Sequence, residues 1–145
     1  MSSEVQISIP KRRLYPLLLL SLTNKLEGTT RFHKLMFILK QEYEVPVEQN
    51  FIKYHYGPFS SDLRENLNTF IEYGFIEKKS DLVAKSGANG FPIINTTYKI
   101  TEKGKKLIEE YFTNKAENAV FQKVFSDWGN KPLKNVIAHA KALIR

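Results

Sequence analysis

Apolar residues recur along this chain with a helical period that gives way in three places to short β-prone runs. After Pro10, Leu14, Leu17, Leu18, Ser21 and Leu22 fall at helical spacing, which predicts a first helix running on toward Gly28. A second helix opens at Thr29 or Thr30. Its Phe32, Leu35, Met36, Leu39 and Tyr43 lie at i, i+3, i+4, i+7 and i+11, one continuous face, and Pro46 ends it. Residues 51–56 are aromatic and β-prone and close on Gly57-Pro58, so they read as an extended segment. Ser60 or Ser61 then caps a third helix whose buried stripe is Leu63, Leu67, Phe70 and Ile71 and whose stop is Gly74. Residues 75–80 and 92–100 read as two strands of a hairpin, joined by a long loop that contains Ser86-Gly87-Ala88-Asn89-Gly90. Thr101 caps a fourth helix, in which Gly104 allows close approach to the neighbouring strand.

Two further amphipathic stretches follow, one through Val120, Phe121, Val124, Phe125 and Trp128, the other through Leu133, Val136, Ile137, Ala140 and Leu143. The expected fold class is α+β, mostly α: a winged helix-turn-helix with additional C-terminal helices. Residues 1–10 read as a flexible N-terminal arm or a short strand at 5–9, residues 11–112 as the winged-helix domain, and residues 113–145 as a helical extension. The extension carries more apolar surface than a small winged helix needs. It is expected either to pack across a two-fold as a dimerisation element or to fold back against the first helix.

Two motifs carry a resemblance. Tyr98-x-Ile100-Thr101-x-x-Gly104 with Leu107-Ile108 resembles the element after the wing in MarR-like and PadR-like regulators. Lys34-Leu35-Met36-Phe37-Ile38-Leu39, followed by Tyr54-x-Tyr56-Gly57-Pro58-Phe59-Ser60, is similar to the YwgA-like and Panacea-type phage-associated winged-helix proteins. The resemblance spans roughly residues 11–112 and implies the fold more than an activity. It brings no catalytic residue with it. The chain departs from ordinary helix-turn-helix proteins between Tyr43 and Ser60, where a long link with its own extended segment replaces a turn of three or four residues.

Composition adds a bias toward polyanions. Lys and Arg number 22 against 15 Asp and Glu, a formal net charge of +7 over 145 residues. The absence of cysteine excludes disulfides and thiolate metal sites and fits a cytoplasmic protein. The apolar run from Leu14 to Leu22 is too short to span a bilayer, so no membrane association is expected.

In a winged helix the third helix enters the major groove. With Leu63, Leu67, Phe70 and Ile71 inward, Ser61, Glu65, Asn68, Thr69 and Glu72 face outward and Arg64 sits at the margin, a net acidic surface. The favourable charges lie around it. The candidate DNA-binding set is therefore Arg31, His33, Lys34 and Lys53 on the flanks, Ser60, Ser61, Arg64 and Asn68 on the third helix, and Lys78, Lys79 and Lys85 on the wing. Tyr54, His55, Tyr56 and Phe59 either stack on single-stranded bases or pack structurally. The three histidines are far apart in sequence, and no phosphate loop, dinucleotide fingerprint or nucleophile elbow occurs, so no metal, cofactor or enzymatic activity is expected. The expected function is a DNA-binding transcriptional regulator contacting double-stranded DNA. The alternative is a protein-interaction module, an antitoxin or adaptor, that meets a protein partner.

Overall fold

The computed structural model of the chain describes residues 10–54, 57–85, 92–113 and 115–144. The expected arm at 1–9, the loop tip at 86–90, and His55 and Tyr56 lie outside these residues.

A turn of 3-10 helix, Lys11–Leu14, leads into α1, Tyr15–Thr23. Pro16 suits the first turn of α1, where its missing N–H would have had no intrahelical partner. Leu17, Leu18, Leu19 and Leu20 are all buried, so α1 is a central helix that is apolar on every side. It ends earlier than the apolar spacing predicts. Asn24 takes a positive φ of 64°, which Asn tolerates better than most residues, and Lys25–Glu27 then forms a strand, β1, where the sequence suggests helix.

The next helix, α2, covers Thr29–Gln41 and stops before Pro46. Two short antiparallel strands follow, β2 at Ile52–Tyr54 and β3 at Gly57–Phe59. They lead to α3, Ser61–Glu72, capped by Ser60, whose Oγ accepts from the Leu63 amide at 3.1 Å. A long hairpin comes next, β4 at Ile76–Lys85 and β5 at Pro92–Ile100. Its first strand runs past the expected end at residue 80, with a register irregularity between Leu82 and Ala84. The helix α4, Glu102–Tyr111, is capped by Thr101, whose Oγ1 accepts from the Gly104 amide at 3.1 Å. Gly104 is needed there, because a Cβ would lie 2.4 Å from the Phe75 carbonyl oxygen. The chain ends with α5, Lys115–Val124, a π-helical stretch at Phe125–Gly129, and α6, Leu133–Ala142.

The architecture is α+β and mostly helical, with a three-stranded antiparallel sheet in the order β1-β5-β4 and the separate pair β2-β3. Leu26 opposite Tyr98, and Ile76 opposite Ile100, turn one face of the larger sheet into the core. Phe121, Val124, Val136 and Ala140 are buried in the same core as Leu17 and Phe32. The C-terminal stretches pack within the chain, α5 against α1 and α2, and α6 against α2 and β3. Polar ties fasten this end. The Trp128 ring stacks on His139 at 3.9 Å, His139 Nε2 lies 2.9 Å from Glu42 Oε2, and the Tyr43 hydroxyl donates to Asp127 at 2.6 Å.

Candidate nucleic-acid interface

The N-terminal end of α3 is built from α2 and β3 together. Ser60 is fully buried and its amide donates to His33 Nδ1 at 3.2 Å, while the His33 ring stacks on Phe59 with centroids 4.7 Å apart and planes 9° from parallel. Burial, reinforced by the charges of Lys34 and Arg64, pushes the His33 pKa down to about 4. The ring is neutral at physiological pH. With Nδ1 accepting, its proton sits on Nε2, which has no hydrogen-bond partner among the described residues. Lys34 is buried as well, donating from Nζ to the Pro58 carbonyl at 2.7 Å, and burial together with Lys141 pulls its pKa down to about 8.

These contacts revise the expected flanking set. His33 and Lys34, expected beside the third helix as phosphate contacts, lie inside instead, because β3 and α6 cover that side of α2. Ser60 serves as a cap rather than an open hydroxyl. Arg31 donates through Nη1 to the carbonyls of Gly129 and Lys131, at 3.1 and 2.8 Å, tying α2 to the segment before α6. Lys53 is exposed on β2, and the clefts it lines hold Lys141 and no residue of the β4–β5 hairpin.

The remaining candidates are at the surface. Ser61, Arg64 and Asn68 are exposed along one flank of α3, with the Arg64 guanidinium 5.8 Å from the Phe59 ring centroid. Lys78 and Lys79 are exposed on β4, and because they are consecutive in a strand they point to opposite faces of the hairpin. Lys85 is placed through its backbone at the end of β4, and its side chain lies outside the described residues. Tyr54 and Phe59 lie in ring contact at 5.6 Å, so those two of the expected aromatic group pack together.

The opposite flank of α3 carries a feature that helical spacing alone did not show. Here Gln49 Nε2 donates to Asn66 Oδ1 at 2.6 Å, the Asn50 amide donates to Asp62 at 3.0 Å, and Arg13 Nε donates to Glu48 at 3.0 Å. Arg13, Glu48, Gln49, Asp62 and Asn66, with Glu65 and Thr69, line a groove of about 480 Å³ with three carboxylates and one guanidinium. The signal was present in the link before α3. Val45 and Val47 alternate with Glu44, Pro46 and Glu48, the period-two pattern of an extended segment, and the fold buries Val45, Val47 and Gln49.

Among the described residues no group of three or more His, Asp or Glu is placed to hold a metal, and no helix is long and apolar enough to cross a membrane. No protein-family model matches the chain, and no curated protein matches it.

Proposed function

We propose that the chain is a winged-helix protein that binds double-stranded DNA and acts as a transcriptional regulator in the cytoplasm. The observation that carries this reading is the sheet order. A strand between the first two helices, β1, pairs with β5, which pairs with β4, while α2 and α3 lie between β1 and β4 in sequence. That order supports reading the chain as a winged helix, in which α3 would be the groove-facing helix and the β4–β5 hairpin the wing. Arg64 and Asn68 present donors from one flank of α3, and Lys78 and Lys79 supply charge from the wing, with Lys85 further along the same strand. Asn68 is suited to an adenine edge and the lysines to phosphates.

The test is fluorescence anisotropy with a labelled random-sequence duplex across a salt series. Affinity should fall steeply with salt, and a Lys78, Lys79 and Lys85 triple Ala variant should lower the slope by about three contacts. Absence of duplex binding at low salt would overturn the reading.

A second reading rests on the groove at Glu48, Asp62 and Glu65, which places carboxylates beside the helix that would meet phosphates. In that reading α3 faces a protein, and the chain is an antitoxin or adaptor. Co-purification of a stoichiometric protein partner, lost on Asp62→Lys with Glu65→Lys, would favour it over DNA.

A further inference from the structure

Where the β2–β3 pair meets the end of α6, two clefts join. One, of about 190 Å³, is lined by Phe37, Gln41, Phe51, Lys53, Leu143 and Ile144, and the other, of about 360 Å³, by Lys53, Tyr54, Lys141 and Ile144. Lys53 and Ile144 line both, so the two clefts adjoin, each with polar and apolar groups in its wall. No carboxylate lines either cleft among the described residues. A third amine lies beneath. Gly57 has a positive φ of 98°, and a Cβ there would sit 3.3 Å from Lys34 Cε and 3.4 Å from Lys141 Cγ, so both lysine chains pass close to that glycine.

The rim is also apolar where solvent reaches it. Ile52 is 61% exposed and Tyr54 is 55% exposed, both large side chains. Exposed apolar groups beside clustered ammonium groups match one kind of occupant, a peptide segment that carries both carboxylates and apolar anchors. Duplex DNA would use the lysines, but its phosphates gain nothing from a lining of Phe37, Phe51 and Leu143.

We infer that this pair of clefts docks an acidic, apolar-anchored segment of a protein partner, with Lys53 and Lys141 meeting the carboxylates and the Phe37, Phe51 and Ile144 lining receiving an apolar side chain. The inference does not depend on DNA binding. A winged-helix regulator would use the cleft to recruit or be restrained by a partner, and a non-DNA adaptor would use it as a second contact.

The probe is a fluorescein-labelled peptide of about ten residues that alternates Asp with Leu and Phe, titrated with the full chain at low salt. Saturable binding is expected, weakened about tenfold by Lys53→Glu with Lys141→Glu and by replacing the peptide's Asp with Asn. Replacing its Leu and Phe with Ser should weaken it comparably, and Lys78→Ala with Lys79→Ala should leave it unchanged. Circular dichroism and Trp128 emission confirm that each variant is folded, and Ile52→Ser, at an exposed position, provides a second disrupting variant. No saturable binding, or binding retained in the doubly reversed variant, would overturn the inference. So would a loss of duplex affinity in that variant equal to the loss from the wing substitutions, which would assign the lysines to phosphates.

Discussion

The two long sides of α2 are both buried, but by different partners and with different chemistry. One side carries Phe32, Leu35, Met36 and Leu39 and faces the sheet, where Phe32 meets Tyr98 edge-on at 5.5 Å. The other carries His33, Lys34 and Phe37 and faces β3, the link and α6, with Phe37 edge-on to Phe51 at 5.3 Å and His33 stacked on Phe59. The first side is held by apolar contact, with one hydroxyl pair, Thr29 Oγ1 and the Tyr98 hydroxyl at 3.0 Å, at its end. The second is held by polar groups that must be matched individually, a buried ammonium on a carbonyl and a neutral imidazole under an amide. The difference teaches that a second layer can be added to an amphipathic helix without making its outer face apolar, here with Lys34 Nζ and His33 Nδ1 paired and His33 Nε2 without a hydrogen-bond partner among the described residues.

The sharpest way to separate the sides is truncation of the first. Phe32→Ala removes a fully buried ring from the centre of the core and should cost about 3–5 kcal/mol, read as a shift of the urea midpoint followed by Trp128 fluorescence. Its cost should not vary with pH between 5 and 8. A cost below about 1.5 kcal/mol would mean that this side is less tightly packed than its burial indicates.

The second side should show itself through pH instead. The folded pKa of His33, about 4, lies below its ordinary value of 6.5, so the unfolded chain binds more protons between those values. Stability from the neutral ring is therefore complete above pH 6.5 and is lost as pH falls toward 4, by about 3 kcal/mol in all. Urea midpoints measured across that window should fall with pH, and His33→Asn, which keeps an acceptor for the Ser60 amide but cannot titrate there, should flatten the profile. A wild-type slope retained in the Asn variant would assign the effect to another group.

Legibility in the sequence follows the same division. Helical spacing located α2, α3, α4 and the apolar stretches of α5 and α6, and the Ser60 and Thr101 caps were readable because a hydroxyl before an apolar periodic run has a specific local use. Gly104 was readable for a similar reason, since its tight approach to the preceding strand is a backbone matter. What the pattern hid depends on distant segments. Three residues, Lys25–Glu27, are too few to show alternation, and β1 exists because β5 lies beside it. His33, Lys34 and Arg31 look like surface residues by type, and only the return of β3 and the C-terminal segment covers or ties them. Of the candidate interface, the exposed flank of α3 followed from its own periodicity, whereas the acidic groove required the link at residues 48–50 to be laid against it.

A smaller effect tests the tie between α2 and the C-terminal segment. Arg31→Ala leaves the Gly129 and Lys131 carbonyls without the guanidinium and should cost about 1–2 kcal/mol, less than a buried pair because the site is only part-buried and water can substitute. If α6 were held by its apolar contacts alone, the midpoint would not move. A drop in Trp128 emission stability that precedes global unfolding would show that the C-terminal end loosens first.

The smallest effect concerns the two flanks of α3, which repeat the contrast at the surface. Arg64 and Asn68 lie on one flank, while Asp62 and Asn66 on the other are bonded to the link and Glu65 stands exposed between them at the groove. Glu65→Gln removes one negative charge without removing a hydrogen-bonding group, so stability should stay within about 0.5 kcal/mol. If α3 meets a duplex, the substitution should tighten binding about two- to threefold at low salt, an effect that fades as the salt concentration rises because an exposed charge is screened. The acidic flank makes the opposite forecast for a basic protein partner, whose affinity the same substitution should lower. One variant measured against a duplex and against a Lys-rich peptide therefore distinguishes which kind of molecule this face of α3 receives.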